Sequence, residues 1–279
     1  MPNVEPNGVS ILFMDIVGFT TMSKLVPPTA VMAYLNALFY VFDKMCDQYK
    51  VFKVETAGDC YIVAGAMMQA TPEGGAALDE QADPAQGVRA VMGFARAMLR
   101  VARSVRMPHN NEPSVVRVGL HTGSVVSGLI GSKLPKFSLF GDTMNTSSRM
   151  ESTAPHSCIQ VSATTYALMD EEQRSALRAT GGVEVKGKGL METYVWDPMP
   201  ADLDLTPDDA EVMSDDEDEE TGMSSDTIHR NTLAHLGPLL TELIDGRAVA
   251  PGGDGSTLAS SIFLPTIGGE RLPYHIPNA

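Results

Sequence analysis

Only three cysteines occur in 279 residues, Cys46, Cys60 and Cys158, and they lie far apart with no CxxC pair and no companion histidine spacing. That excludes a disulfide scaffold and a structural zinc site, and it suits a chain kept reduced. No apolar run approaches the roughly 18 residues needed to cross a bilayer, and the amino end has no signal-peptide pattern. A cytoplasmic chain with no direct membrane contact is therefore expected. Positive charge is also scarce, with 20 Lys and Arg against 35 Asp and Glu, a net charge of −15. The imbalance sits at one end. Residues 199–279 hold 16 of the acids and 3 of the bases, so they carry −13 and the first 198 residues carry −2. An acidic tail on a near-neutral body argues against nucleic acid as a partner.

Two parts follow from this. Residues 1–198 are long enough to bury a full core. Residues 199–279 read as a disordered acidic tail, because 202–220 is mostly acidic and 252–261 is rich in Gly and Ser. Within that tail a short amphipathic helix is possible over 227–244, interrupted at Pro238.

The informative stretch is VFKVETAGDCY, residues 51–61. Its β-branched and aromatic runs flank a turn-like Thr56-Ala57-Gly58-Asp59, which predicts a β-hairpin with Glu55 and Asp59 near its tip. A lone Gly-Asp pair is ordinarily a turn device. A second strand, Val9 to Met14, changes that reading by delivering Asp15 into Ile16-Val17-Gly18-Phe19-Thr20. If the two strands are neighbours, Asp15 and Asp59 can share a divalent cation, because hard cations take oxygen ligands and leave positions for substrate phosphates. Gly18, Phe19 and Thr20 open a helix, and amides at such a start suit a phosphate.

Further along, residues 30–48 and 85–105 show apolar positions at helical spacing. The arginines of the second helix, Arg89, Arg96, Arg100, Arg103 and Arg106, read as a solvated face. Residues 69–83 read as an exposed loop. Strands follow at 115–121, 124–130 and 136–139, and then a helix begins after Gly141 with Asn145 and Arg149 on one face. Glu184 to Gly189 reads as a hairpin turn, and 192–196 as a closing strand. The order strand-helix-strand-strand-helix-strand predicts an α+β fold on a ferredoxin-like βαββαβ core.

The motifs FMDIVGFT, KVETAGDCY, VGLHTG, FSLFGDTMNTSSRMEST and VKGKG occur in the order found in class III nucleotidyl cyclase catalytic domains. Over residues 9–196 the chain resembles their guanylyl cyclase branch. The resemblance implies that GTP is converted to 3′,5′-cyclic GMP and pyrophosphate with two Mg2+ or Mn2+ per active site. Asp15, Asp59 and the carbonyl of Ile16 would be the metal ligands. Asn145 would orient the ribose, Arg149 would contact the phosphates, and Lys186, more than Lys188, would reach the terminal phosphates. Glu55 stands where guanylyl cyclases have Glu and adenylyl cyclases have Lys, so it would read guanine. Ser138 falls where the two branches usually have Cys and Asp or Thr, and its hydroxyl suits either purine. One chain carrying both sets implies a head-to-tail homodimer with two shared sites, and an upstream sensor domain is possible. The alternatives are an adenylyl cyclase and a non-catalytic dimerising subunit. His121 reads as support for a turn rather than a base, and Cys60 as pointing away from the acids; a purely structural pairing of Arg149 with Glu151 or Glu192 is the lesser alternative to its phosphate role.

Overall fold

The computed structural model describes residues 8–65, 68–70, 76–78, 82–130 and 136–213. The chain opens with β1 (Val9–Ile16), α1 (Phe19–Leu25) and α2 (Pro28–Tyr49), followed by the hairpin β2 (Val51–Ala57) and β3 (Cys60–Gly65). A short ribbon, β4 (Met68–Ala70) with β5 (Ala76–Leu78), stands within the stretch read as a loop. Next come α3 (Pro84–Ser104), β6 (Val116–Gly123), and the hairpin β7 (Val126–Ile130) with β8 (Lys136–Phe140). Then follow α4 (Asp142–Ser152), β9 (Ile159–Ser162), α5 (Ala163–Leu168), α6 (Glu171–Ser175), β10 (Arg178–Ala179), the hairpin β11 (Val183–Val185) with β12 (Gly189–Met191), β13 (Thr193–Trp196) and α7 (Pro207–Met213).

One seven-stranded sheet runs in the order β10-β13-β9-β6-β1-β3-β2. Its β6-β1-β3-β2 part, with α2 and α3 as crossovers, is the expected ferredoxin-like core. Alternation assigns each strand residue to one of two faces. Leu12, Met14 and Ile16 of β1 with Tyr61 and Val63 of β3 meet Leu38, Phe42, Val91 and Met98 from the two long helices in the main core. Ile11, Ile62 and Ala64 point the other way and pack with Val125 and Leu139. That second face is the one covered by α4 and the β7–β8 hairpin.

α4 lies unusually close to the sheet. A Cβ on Gly119 would fall 1.9 Å from the backbone nitrogen of Glu151, so here helix backbone meets strand backbone. Neither side is a flexible side chain that could give way, and overpacking costs about 1–3 kcal/mol or more. Gly119→Ala is expected to lower the thermal midpoint by about 5 °C or more, measured by circular dichroism, at a few degrees per kcal/mol for a domain of this size. An unchanged midpoint would mean that α4 can slide.

The described chain continues past Pro198 to Met213, into the acidic stretch that composition alone reads as disordered. α7 packs beside α2 and α3. Asp209 is 1% exposed and receives Arg100 Nε at 2.6 Å and Nη2 at 3.1 Å. Arg96 lies over the Trp196 ring at 5.0 Å from its centroid. The reading of Arg89, Arg96, Arg100, Arg103 and Arg106 as a solvated face is therefore corrected for two of them: Arg96 covers Trp196 at the end of β13, and Arg100 anchors the segment that follows. A bidentate, desolvated pair supplies what the apolar pattern of 202–213 does not. The helix expected over 227–244 lies outside the described residues.

Candidate active site

Asp15 stands near the end of β1, and Asp59 sits in the β2–β3 turn, which Gly58 makes with φ of 65°. β1 and β3 are adjacent and antiparallel with Met14 opposite Tyr61, so the two acids meet at one end of the strand pair. The Asp59 carboxyl is pushed up to about 6, first by burial, then by the charge of Asp15 and by a hydrogen bond with it. Two carboxylates in contact disfavour joint ionisation, and a cation between them removes that cost. The donor set, two carboxylates with the Ile16 carbonyl beside them, is all oxygen and fits a hard divalent ion whose remaining positions go to phosphates. Among the described residues no group of three or more His, Cys, Asp or Glu is arranged as a metal site, and the positions beyond this donor set would go to water or to nucleotide oxygens.

Arg117, on β6 directly opposite Asp15, joins the acids. Its Nη2 donates to Asp15 Oδ2 at 2.8 Å and its Nε to Glu151 Oε1 at 2.5 Å. Glu151 is buried, and burial raises its carboxyl while the charge of Arg117 opposes the rise. Glu151 is thus engaged by Arg117, which speaks against the lesser alternative in which it pairs with Arg149. Arg117 carries no local signal in VRVGLHTG beyond its type, and only the strand pairing shows its role.

Asn145 and Arg149 are exposed on α4, whereas Thr143, Thr146, Ser147, Met150 and Glu151 form its buried side. With Asp142, Lys186, Gly187 and Lys188 they line an open cavity of about 390 Å³. Lys186 and Lys188 sit on the β11–β12 turn. Lys188 pairs with Asp142 at the start of α4 and so anchors that turn, which leaves Lys186 the lysine not committed to Asp142. His121 Nδ1 lies 2.7 Å from Ser162 Oγ, and the ring is pushed down to about 4, first by burial and then by the charge of Lys188. It is a neutral, hydrogen-bonded group at pH 7, in keeping with its structural reading.

Glu55 owes its direction to a β-bulge. The β2–β3 register shifts between Lys53 and Glu55, so Lys53 pairs with Val63 but Glu55 pairs with Ile62. Without the extra residue Glu55 would oppose Tyr61 and point into the helix-covered core. The bulge turns it to the face of Ile62, where the β7–β8 hairpin packs. Phe52 meets Phe137 edge-on at 5.7 Å between ring centroids and sets β8 beside β2. Ser138, half-buried, is therefore on the strand next to that of Glu55.

Gly18 precedes α1 with φ of 79° and no side-chain cap, and Phe19 and Thr20 form the first turn, as expected. Cys60 departs from expectation. It packs on the same face as Phe13, which is also the face of Asp15, so it points toward the acids rather than away. Burial, then the charges of Glu151, Asp15 and Asp59, push its thiol up to about 12, which keeps it protonated and unreactive.

The site residues thus form two groups. Asp15 and Asp59 meet beneath the buried side of α4 through Arg117 and Glu151. Asn145, Arg149 and Lys186 gather at its exposed side. Residues 149 and 151 are two positions apart, about 200° around a helix, so α4 separates the two groups within one chain.

Residues 2–197 match the family described as Adenylate and Guanylate cyclase catalytic domain. Receptor-type guanylate cyclase gcy-28 of Caenorhabditis elegans is 41% identical over 187 residues, covering 67% of this chain and 14% of that protein. Guanylate cyclase D of Mus musculus is 40% identical over 219 residues, covering 74% and 18%. The chain therefore spans less than a fifth of these relatives' length. Among solved structures, the guanylate cyclase domain of RhGC from Catenaria anguillulae, in complex with GTP, is 30% identical with a TM-score of 0.58, over 69% of this chain and 97% of that domain. With motif order, fold and family match in agreement, the chain belongs to the adenylate and guanylate cyclase catalytic domain family.

Proposed function

We infer that this chain converts GTP to 3′,5′-cyclic GMP and pyrophosphate at two sites shared by a head-to-tail homodimer. The observation that carries the reading is the placement of Asp15 and Asp59 together at one end of the β1–β3 pair, on one side of α4, with Asn145, Arg149 and Lys186 on the other. Neither group alone can run the reaction. A second copy, turned head to tail, sets the acids of one protomer against the exposed α4 face of its partner.

Two divalent cations, Mg2+ or Mn2+, held by Asp15, Asp59 and the Ile16 carbonyl, would lower the pKa of the ribose 3′-hydroxyl and offset charge on the phosphates. The chain's own groups do the rest. The amides of Gly18, Phe19 and Thr20 face the phosphates of the same nucleotide. From the partner, Asn145 fixes the ribose so that the 3′-oxygen lies in line with the α-phosphate. Arg149 donates to the α-phosphate oxygens where charge grows, and a fixed donor of this kind contributes about 10²- to 10³-fold. Lys186 holds the departing pyrophosphate. Glu55 accepts from guanine N1–H and the 2-amino group, and Ser138 donates to O6.

Ser138 also keeps the adenylate cyclase reading open, because the same hydroxyl can accept from the adenine 6-amino group. Glu55 weighs against that reading, since adenine N1 is itself an acceptor. A non-catalytic subunit is disfavoured because every residue of both groups is present. The three cysteines of the chain are free, in keeping with a reducing, cytoplasmic setting. No helix among the described residues is long and apolar enough to cross a membrane. The receptor cyclases it resembles are several times longer, which supports a sensor domain upstream.

The test is purified chain assayed with Mn2+ and either GTP or ATP, with products separated chromatographically. Cyclic GMP formed much faster than cyclic AMP is the expected result. Cyclic AMP as the main product would make it an adenylate cyclase, and no product at any chain concentration would favour the non-catalytic subunit.

A further inference from the structure

Arg117 is absent from the reaction as described, yet it touches that reaction's metal-side carboxylate. Its guanidinium spends Nη2 on Asp15 and Nε on Glu151, two carboxylates on two different elements. A planar fork can hold both in fixed directions, whereas an ammonium is a point charge on a flexible stem. With Oδ2 taken, Oδ1 is the oxygen of Asp15 left for Asp59 and for a cation.

Stability alone does not explain this arrangement. The Arg117–Glu151 contact is structural, because Glu151 is 9% exposed and a buried carboxylate left unpaired is costly; the Arg117–Asp15 contact is not, since those side chains are 29% and 23% exposed and ion pairs open to water contribute little to folding. α4 has a second close approach to β6, backbone to backbone at Gly119, so Arg117 does not dock it alone. Glu151, buried behind it, balances the guanidinium charge and holds its Nε on the side away from Asp15.

We propose that Arg117, clamped by Glu151, is a positioning residue that orients Asp15 for divalent cation binding. The proposal rests on the cyclase reading above and adds to it a residue pair that sets cation affinity. Groups that orient a metal ligand in this way typically alter affinity about 10- to 100-fold.

The 279-residue chain is titrated with Mn2+ alone, and free Mn2+ is followed by its electron paramagnetic resonance signal. Arg117→Lys keeps the charge and loses the fork, so its Mn2+ affinity is expected to fall by about 10- to 100-fold. Glu151→Gln should weaken affinity in the same direction by a smaller factor, with Asp15→Asn as the reference for a lost ligand. In turnover, the Mn2+ concentration for half-maximal rate rises in Arg117→Lys while the GTP-to-ATP ratio stays put, a split that general loosening of the fold would not produce. If Asp15→Asn loses Mn2+ while Arg117→Lys and Glu151→Gln bind it like the wild type, the positioning role is overturned and the cyclase reading stands. If Asp15→Asn itself binds Mn2+ normally, the acid pair is not the cation site and both readings fall. Should Arg117→Lys fail to fold, Glu151→Gln decides, and unchanged Mn2+ affinity there overturns the proposal.

Discussion

Chains carrying Asp15→Asn and chains carrying Arg149→Ala, each nearly silent alone, regain about one quarter of the wild-type rate when mixed in equal amounts and allowed to exchange, as a head-to-tail dimer with two shared sites requires. Half of the dimers formed are then mixed pairs. In each mixed pair one centre combines the intact acids of one protomer with the intact α4 face of the other, while its second centre carries both defects. Each single variant is expected to lose about 10²- to 10³-fold or more, the usual cost of removing a fixed charge-stabilising group. The recovered signal therefore stands far above background. The geometry behind this is the opposition of residues 149 and 151 around α4, which keeps Arg149 away from the Asp15–Arg117–Glu151 cluster of its own chain. Exchange is verified by co-purification of differently tagged chains. Exchange without recovered activity would show that each centre lies within one protomer.

The second large effect concerns the purine. Glu55→Lys with Ser138→Asp is expected to lower the GTP-to-ATP rate ratio by about 10³-fold or more, because a site built to hydrogen-bond one base leaves buried polar groups unpaired against the other. Lysine at 55 donates to adenine N1 and opposes guanine N1–H. Aspartate at 138 accepts from the 6-amino group and repels O6. Each single change should move the ratio part of the way, with Glu55 dominant, since a serine hydroxyl suits either base. The measurement is the initial rate with each nucleotide at matched Mn2+. A ratio that does not move would detach Glu55 and Ser138 from the base.

How much of this was legible in the sequence depends on the range of the interaction concerned. The β2–β3 hairpin, the long amphipathic helices and the α4 start after Gly141 follow from turn residues and periodicity within a few positions. The pairing of Asp15 with Asp59 was also legible, because two apolar strands each delivering an acid leave few other arrangements. Cys60 was misplaced because alternation was counted from Asp59, a turn residue, instead of from the β1–β3 register. The α3 arginines were misread because their partners, Asp209 and Trp196, lie about a hundred residues downstream. Acidic composition after Pro198 hid α7 because one buried, doubly bonded aspartate can dock a segment that has little apolar surface of its own.

By itself the sequence determined the family, the fold class and which residues are candidates for the chemistry, since motif order and local periodicity are properties of neighbours along the chain. Only the tertiary structure decided the rest. It placed Arg117 across from Asp15, 102 positions away, turned Glu55 to the outer face of the sheet by one extra residue in β2, and set α4 between two halves of a site. Each of these is a register between distant strands or a backbone contact at Gly119, and such relations exist only once the sheet has formed.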